Sequence, residues 1–246
     1  MIFKNKVFII IGSEGQIGKV FKKHILYNGG KICSVDILKK RKKKDINEFY
    51  IKTNITNLKS IKRILNKTKK LYKKIDCVIN CSYPKLNQSK NLNSINFKKI
   101  TRNISDHLGS NIVLCKITAD FFKKQGHGNI ILLSSIQGVM PPKFEHYENT
   151  NMYSPIEYTA NKHAIVGIVK YYAKLYGKFN ININSISPGG IKNNQNKNFL
   201  KKYKSSCLQK GMLDAKDLIS TMEYLSDDRS NVVNGQNLIV DDGWTL

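Results

Sequence analysis

Arginine is scarce in this chain: four of 246 residues (Arg41, Arg63, Arg102 and Arg229), against 38 lysines. Proline and cysteine number five each, and tryptophan one. No apolar run approaches the ~20 residues of a membrane-spanning helix, so no span is expected. The apolar run at 7–11 falls short of the ~7–15 residues of a secretory leader core, and it feeds a Gly-rich loop instead of a cleavage site. The cysteines, at 33, 77, 81, 115 and 207, are odd in number and scattered, without His or Cys partners at zinc spacing. The expectation is reduced thiols, no metal and a cytoplasmic location. No Pro/Gly/Ser linker and no repeat divides the chain, so residues 1–246 are expected to form one domain.

Acidic residues are few as well. Seventeen Asp+Glu stand against 42 Lys+Arg, a net charge of +25. Such a balance raises nucleic acid or an anionic membrane as a partner. The make-up of the excess argues against both. Lys (38), Asn (27) and Ile (32) together supply 97 residues. All three have AT-rich codons, so base composition can generate the charge without a polyanion. Arg, the better reader of phosphates and base edges, is nearly missing. A nucleic-acid binder stays only as an alternative class. The run at 39–44, Lys-Lys-Arg-Lys-Lys-Lys, reads as a solvated turn, with a phosphate patch or a nuclear address as the other readings.

What is present is an alternation. Short β-branched runs at 7–11, 31–35, 49–53, 77–80, 129–133, 181–186 and 238–240 read as strands. Amphipathic stretches near 16–28, 57–73, 95–124, 155–177 and 214–225 read as helices. The pattern predicts an α/β fold: a Rossmann-like, doubly wound, seven-stranded parallel sheet with helices on both faces. Long loops at 81–94, 136–156 and 187–213 begin at the carboxyl ends of strands, where open α/β sheets bind ligands.

The first strand runs into Ile11-Gly12-Ser13-Glu14-Gly15-Gln16-Ile17-Gly18 and then a helix. A tight Gly turn lets backbone N–H groups approach a pyrophosphate, and the helix N-terminus adds positive potential. Gly12, Ser13, Gln16, Ile17 and Gly18 are the candidate contacts. Asp36 ends the second strand, where a carboxylate accepts hydrogen bonds from ribose hydroxyls and repels a 2′-phosphate. That favours NAD(H). Lys39, Lys40 and Arg41, just beyond, keep NADP(H) open.

Ser154-Pro155-Ile156-Glu157-Tyr158 reads as a helix start, with Ser154 as cap and Glu157 completing a capping box. Lys162 follows Tyr158 by four residues, on the same face. Chance alone gives about two such Tyr/Lys pairs at this composition, so context decides. Ser134-Ser135 closes one strand and Ser187-Pro188-Gly189-Gly190 another. A hydroxyl, a phenol and an ammonium would then meet at one sheet edge. Transfer of hydride to or from an oxygen-bearing carbon needs a group that moves the hydroxyl proton. A phenol near pKa 10 is too weak a base at neutral pH, and the Lys162 ammonium together with a positive nicotinamide is expected to favour phenolate and lower the Tyr158 pKa. Ser135 can hold the substrate oxygen.

Taken together, these residues resemble the short-chain dehydrogenase/reductase family over essentially the whole chain. The similar pieces are 11–18, Asp36, Asn54-Ile55, Asn80 after the fourth strand, Ser135, Tyr158/Lys162, Pro188-Gly189 and the ending 235–243. The resemblance implies Tyr158 as general acid/base and Lys162 as the group that binds nicotinamide ribose and tunes Tyr158. It implies Ser135 as the substrate-positioning residue, with Asn80, Pro188, Gly189 and Ile191 lining the cofactor. It also implies a homotetramer or homodimer built through the helices near 104–124 and 155–177. His107-Leu108-Gly109-Ser110, Ser134 to Met140, Lys210 to Asp214 and Gly243-Trp244 resemble the flagellin-modification branch of that family. That branch implies a polar or anionic small-molecule substrate, a sugar derivative of nonulosonic-acid or flagellin-glycan biosynthesis.

Three departures stand out. Gln16 takes a position where the family has Gly, and Glu14 brings a carboxylate to the turn. His107 stands where the family's tetrad has Asn; its imidazole could hold a relay water to Lys162, titrate, or simply pack. Ser135 and Tyr158 lie farther apart in sequence than is common in the family, which implies a substrate-covering insert around 139–156 beside a substrate loop around 190–213. A 3-oxoacyl-thioester reductase is the alternative activity. A catalytically inactive dinucleotide-binding regulator is the alternative of another class.

Overall fold

The computed structural model describes residues 1–38, 45–84 and 96–246. The basic run at 39–44 and most of the loop after the fourth strand lie outside the described residues, and with them the opposing signal of Lys39, Lys40 and Arg41.

Seven strands form one parallel sheet: β1 Val7–Ile11, β2 Lys31–Asp36, β3 Glu48–Lys52, β4 Cys77–Asn80, β5 Gly128–Leu133, β6 Ile181–Pro188 and β7 Asn237–Val240. Their order is β3-β2-β1-β4-β5-β6-β7, with every neighbouring pair parallel. The expected doubly wound sheet is therefore present, each strand within two residues of its expected bounds. After β3 the chain returns across the sheet to β4, which pairs with β1. The crevice where the connections diverge opens above the carboxyl ends of β1 and β4.

Strand residues alternate between two cores, as the two-residue repeat of a strand requires. Ile9, Ile11, Cys33 and Val35 face one core; Phe8, Ile10 and Ile32 face the other. The first core lies under α2 (Leu58–Tyr72), α4 (Ser110–Gln125) and α5 (Ile156–Tyr176), and the second under α1 (Gln16–Tyr27) and α7 (Ile219–Ser226). β1 is buried along its whole length, which explains its run of Val, Phe and Ile without polar interruption.

Two expectations about helices need amendment. The stretch at 95–124 is not one regular helix: α3 (Phe97–Ile104) passes through a π turn at Ser105–Gly109 before α4. The loop at 190–213 contains a further helix, α6 (Lys197–Lys204), capped by the Asn196 side chain. No described helix is long and apolar enough to cross a membrane. Among the described residues no cluster could hold a metal ion, and all five cysteines are free.

Candidate active site

The Gly-rich turn leaves β1 with Gly12 at φ +75, a conformation that disfavours any Cβ. A Cβ there would also lie 2.8 Å from the Ser82 nitrogen, in the turn after β4. Gly18 is constrained from the other side: its Cβ would come 2.2 Å from the Gly12 carbonyl oxygen. Gly15 occupies the N-cap of α1, and among the described residues no side chain caps that first turn. The open N–H groups at Gln16 to Gly18 are a ready anion site. Buried Ser13 and partly exposed Ile17 flank it. Gln16 does not copy the glycine it replaces. Its amide reaches across the crevice and donates to the Lys192 carbonyl, beyond β6.

Glu14 is turned away from this turn. Its carboxylate pairs with Lys22 of α1 at 2.5 Å, and Lys22 also lies 3.4 Å from Glu48. The negative charge is thus neutralised locally. Asp36 sits at the tip of β2, mostly buried, and both of its oxygens are engaged. Oδ2 accepts the Glu14 N–H at 2.9 Å, and Oδ1 accepts the Leu38 N–H at 3.1 Å. Asn54 is exposed, its side chain capping a turn at the Thr56 N–H, while Ile55 is buried in the first core.

After β4, Asn80 donates to the Asn111 side chain at 2.8 Å and accepts from the Ser82 N–H and hydroxyl at 3.1 and 2.7 Å. Asn111 in turn donates to the carbonyl of His107 in the π turn. Pro188 ends β6, Gly189 bonds to the Val240 carbonyl, and Ile191 bridges to Leu213. These residues rim the crevice from the β6 side.

Ser135, Tyr158 and Lys162 come together at the end of β5. The Ser135 hydroxyl accepts the Gln137 N–H at 3.2 Å and lies close enough to Tyr158 to favour its phenolate. The Lys162 ammonium donates to the Leu133 carbonyl at 2.8 Å and lies 5.6 Å from the centre of the Tyr158 ring. Ser134 fixes α5 against the strand by donating to the Lys162 carbonyl. Gly138 permits that approach, since a Cβ there would meet the Ser134 hydroxyl at 2.2 Å.

The protonation pattern corrects two expectations. The Tyr158 pKa is raised, not lowered: burial outweighs the nearby Ser135 hydroxyl, and Lys162 is not among the groups that shift it. Burial brings the Lys162 ammonium down to about 8. His107 does not titrate near neutrality, because burial and the Lys162 charge push it down to about 3. It is 2% exposed, and its Nδ1 has no hydrogen-bond partner among the described residues. The anticipated side-chain cap at Ser154 is absent as well. Pro155 is the N-cap of α5, and the Ser154 hydroxyl donates to Gln137 at 2.7 Å.

Gln137 also accepts from Thr159 at 2.8 Å, so one amide oxygen ties the segment at 139–156 to α5. That segment packs on α6 and the chain end. His146 bonds to Ser206 at 2.9 Å and lies among the rings of Phe199, Tyr203 and Trp244. Tyr203 accepts the Gly190 N–H at 2.6 Å, and the Lys143 ammonium rides 4.8 Å from the Trp244 ring centre. The insert is therefore packed as a wall. Sequence reasoning missed one residue at the centre of the site: Tyr83, whose ring touches both His107 and Tyr158. Its only prior signal was its position three residues past Asn80 at the carboxyl edge.

A family model described as enoyl-(acyl carrier protein) reductase matches residues 15–245. The chain is 39% identical to the post-translational flagellin modification protein A of Campylobacter coli over 259 residues, covering 100% of each. It superposes with a TM-score of 0.90 and 28% identity on a short chain dehydrogenase from Leptospira borgpetersenii with bound NAD+, covering 99% of this chain and 94% of that one. An NADPH-dependent 3-quinuclidinone reductase from Rhodotorula rubra shares the fold, with a TM-score of 0.81 at 23% identity over 98% of this chain and 92% of that one.

Proposed function

The chain belongs to the short-chain dehydrogenase/reductase family, and from that premise we propose that Tyr158, Lys162 and Ser135 carry its chemistry on a sugar-derived substrate. It is an NAD(P)-dependent oxidoreductase. The residues present fit a dinucleotide. Gly12 and Gly18 leave a cradle that Cβ atoms would fill, and among the described residues no side chain caps the first turn of α1. Gly12, Ser13, Gln16, Ile17 and Gly18 would hold the pyrophosphate and Asp36 the adenosine ribose. Asn54 and Ile55 would border the adenine side, and Asn80, Pro188, Gly189 and Ile191 the nicotinamide side. When bound, the nicotinamide supplies or takes the hydride.

The protein's own part is to place the substrate oxygen and to move one proton. Ser135 donates to that oxygen and holds it near the Tyr158 hydroxyl. Tyr158, kept as neutral phenol by burial, gives its proton to the oxygen as a carbonyl is reduced and recovers it in the reverse direction. Lys162 keeps a cation beside the phenol and offers its remaining N–H groups to the nicotinamide ribose. His107 enters only as a buried neutral ring beside Lys162.

NAD(H) is the favoured cofactor, because the buried Asp36 carboxylate is fixed by two backbone N–H groups and meets a 2′-phosphate with repulsion. The substrate class rests on the full-length likeness to a flagellin modification protein. We read it as a polar or anionic sugar derivative of a nonulosonic or flagellin-glycan route, bound in one cytoplasmic domain between the wall at 139–156 and the loop at 190–213. The net charge of +25 would help draw such anions in. Exposed Ile112, Tyr171 and Leu175 on α4 and α5 support assembly as a homotetramer or homodimer. The family model's description favours a second reading, an acyl-thioester reductase. The polar insert, with Glu145, His146 and Asn149, speaks against an acyl tunnel.

The observation that carries the proposal is the convergence of Ser135, Tyr158 and Lys162 above the Gly-rich turn. A cofactor-reduction assay across sugar phosphates, nucleotide sugars and acyl thioesters tests it. Turnover is expected on a sugar compound, and Tyr158→Phe should abolish it with little change in melting temperature. Turnover on acyl thioesters alone, or full activity of Tyr158→Phe, would overturn it.

A further inference from the structure

Lys162 is a buried cation with little water around it, yet nothing in the roles above explains what keeps its ammonium in place beyond one carbonyl. The Leu133 carbonyl accepts one N–H at 2.8 Å. Among the described residues the Cys81 thiol also lies near it, together with two aromatic rings. Its Nζ lies 5.4 Å from the centre of the Tyr83 ring and 5.6 Å from that of Tyr158. The two rings meet edge to face, with centroids 5.2 Å apart and planes at 67°. On its far side Tyr83 rests on His107, with centroids 4.9 Å apart. A cation near two aromatic rings is held by their quadrupoles, and the attraction grows when water is excluded.

The backbone that carries Tyr83 is well fixed. Asn80 holds the Ser82 N–H and hydroxyl, and the Cys81 N–H bonds to the Ile11 carbonyl. The Ser82 backbone is also packed against Gly12, where even a methyl group has no room. His107 is fixed in its turn, its carbonyl accepting from Asn111 and Ser110. The stack of His107, Tyr83 and Tyr158 therefore runs from one rigid support to the reacting phenol.

We propose that Tyr83 is a positioning residue: its ring, propped by His107, clamps the Lys162 ammonium against Tyr158 and so sets the cation that the nicotinamide ribose meets. This rests on the cofactor reading given above. His107 then contributes through its ring face, which is why a neutral imidazole suffices at that position. The clamp acts through the π face of Tyr83.

The test compares Tyr83→Phe, which keeps the ring, with Tyr83→Leu, which keeps apolar volume but has no π face. Binding is read from NADH fluorescence, with ADP as a probe of the adenosine half alone. Tyr83→Phe should bind NADH within about threefold of wild type, and Tyr83→Leu about tenfold or more weakly. ADP affinity should be unchanged in both. In the Lys162→Met background, Tyr83→Leu should cost nothing further, because the cation it positions is gone. A merely structural role predicts additive losses and a fall in ADP affinity, and either would overturn the proposal. A wild-type chain that binds neither NADH nor ADP would sink the cofactor reading instead. The clamp is then judged from the structure of Tyr83→Leu: a Lys162 ammonium still seated on the Leu133 carbonyl and against Tyr158 refutes it, and a displaced one supports it.

Discussion

Replacing Asp36 with Asn is a substitution of nearly equal size that should separate two functions of one carboxylate. In the structure both oxygens accept backbone N–H groups, from Glu14 at 2.9 Å and Leu38 at 3.1 Å. An amide offers one oxygen and one NH2, so one of the two N–H groups must face a donor. Leaving a mostly buried N–H without an acceptor costs about 1–3 kcal/mol. For a chain of this length that lowers the melting temperature by about 3–10 °C. The cofactor effect runs in opposite directions for the two dinucleotides. A charged acceptor for ribose hydroxyls is lost, so NADH should weaken roughly 5–30-fold. A carboxylate about 5 Å from a 2′-phosphate repels it by about 3 kcal/mol per unit charge at an effective dielectric near 20. With screening, NADPH should gain about 10–100-fold. Thermal shift without cofactor reads the first effect; titration with each dinucleotide reads the second. A wild-type preference for NADPH, or an Asn variant with unchanged melting and an unchanged NADH to NADPH ratio, would refute the role given to Asp36.

Gly18→Ala should lower both stability and NADH affinity although Ala favours helix by about 1 kcal/mol, because its Cβ would lie 2.2 Å from the Gly12 carbonyl oxygen; an unshifted melting curve and unchanged titration would contradict the tight turn. His107 gives a pH signature. Its folded pKa is depressed to about 3 from the ordinary 6.5, so the unfolded chain binds the extra proton between those values. Stability contributed by the neutral ring is full above pH 6.5 and is lost on acidification, by about 2 kcal/mol between pH 6.5 and 5. Denaturant melts of His107→Gln and wild type should show a shallower acid slope in the variant, and equal slopes would count against a buried neutral imidazole.

The sheet was legible because its central strands carry β-branched apolar residues, most plainly the fully buried Val7–Ile11, and burial on both faces demands such runs. The phosphate turn was legible because its glycines have no substitute. Other features left no mark. α6 (Lys197–Lys204) was hidden by four lysines, although Asn196 and the spacing of Phe199 and Tyr203 signalled a capped helix. The π turn at His107 inserts one extra residue per turn without changing composition. Tyr83 lies in a loop, where no periodicity points to a partner. The sign of the Tyr158 shift depends on how burial weighs against a nearby charge, and spacing alone cannot weigh them.

Trp244 is 2% exposed, stacked on Tyr203 and packed beside His146. It underpins a wall whose His146 lies more than ninety positions earlier in the chain. During synthesis the Gly-rich turn, Asp36 and the Tyr158/Lys162 pair are all made while that wall still lacks its support. A nascent chain would thus present the proposed dinucleotide cleft before the proposed substrate wall is complete.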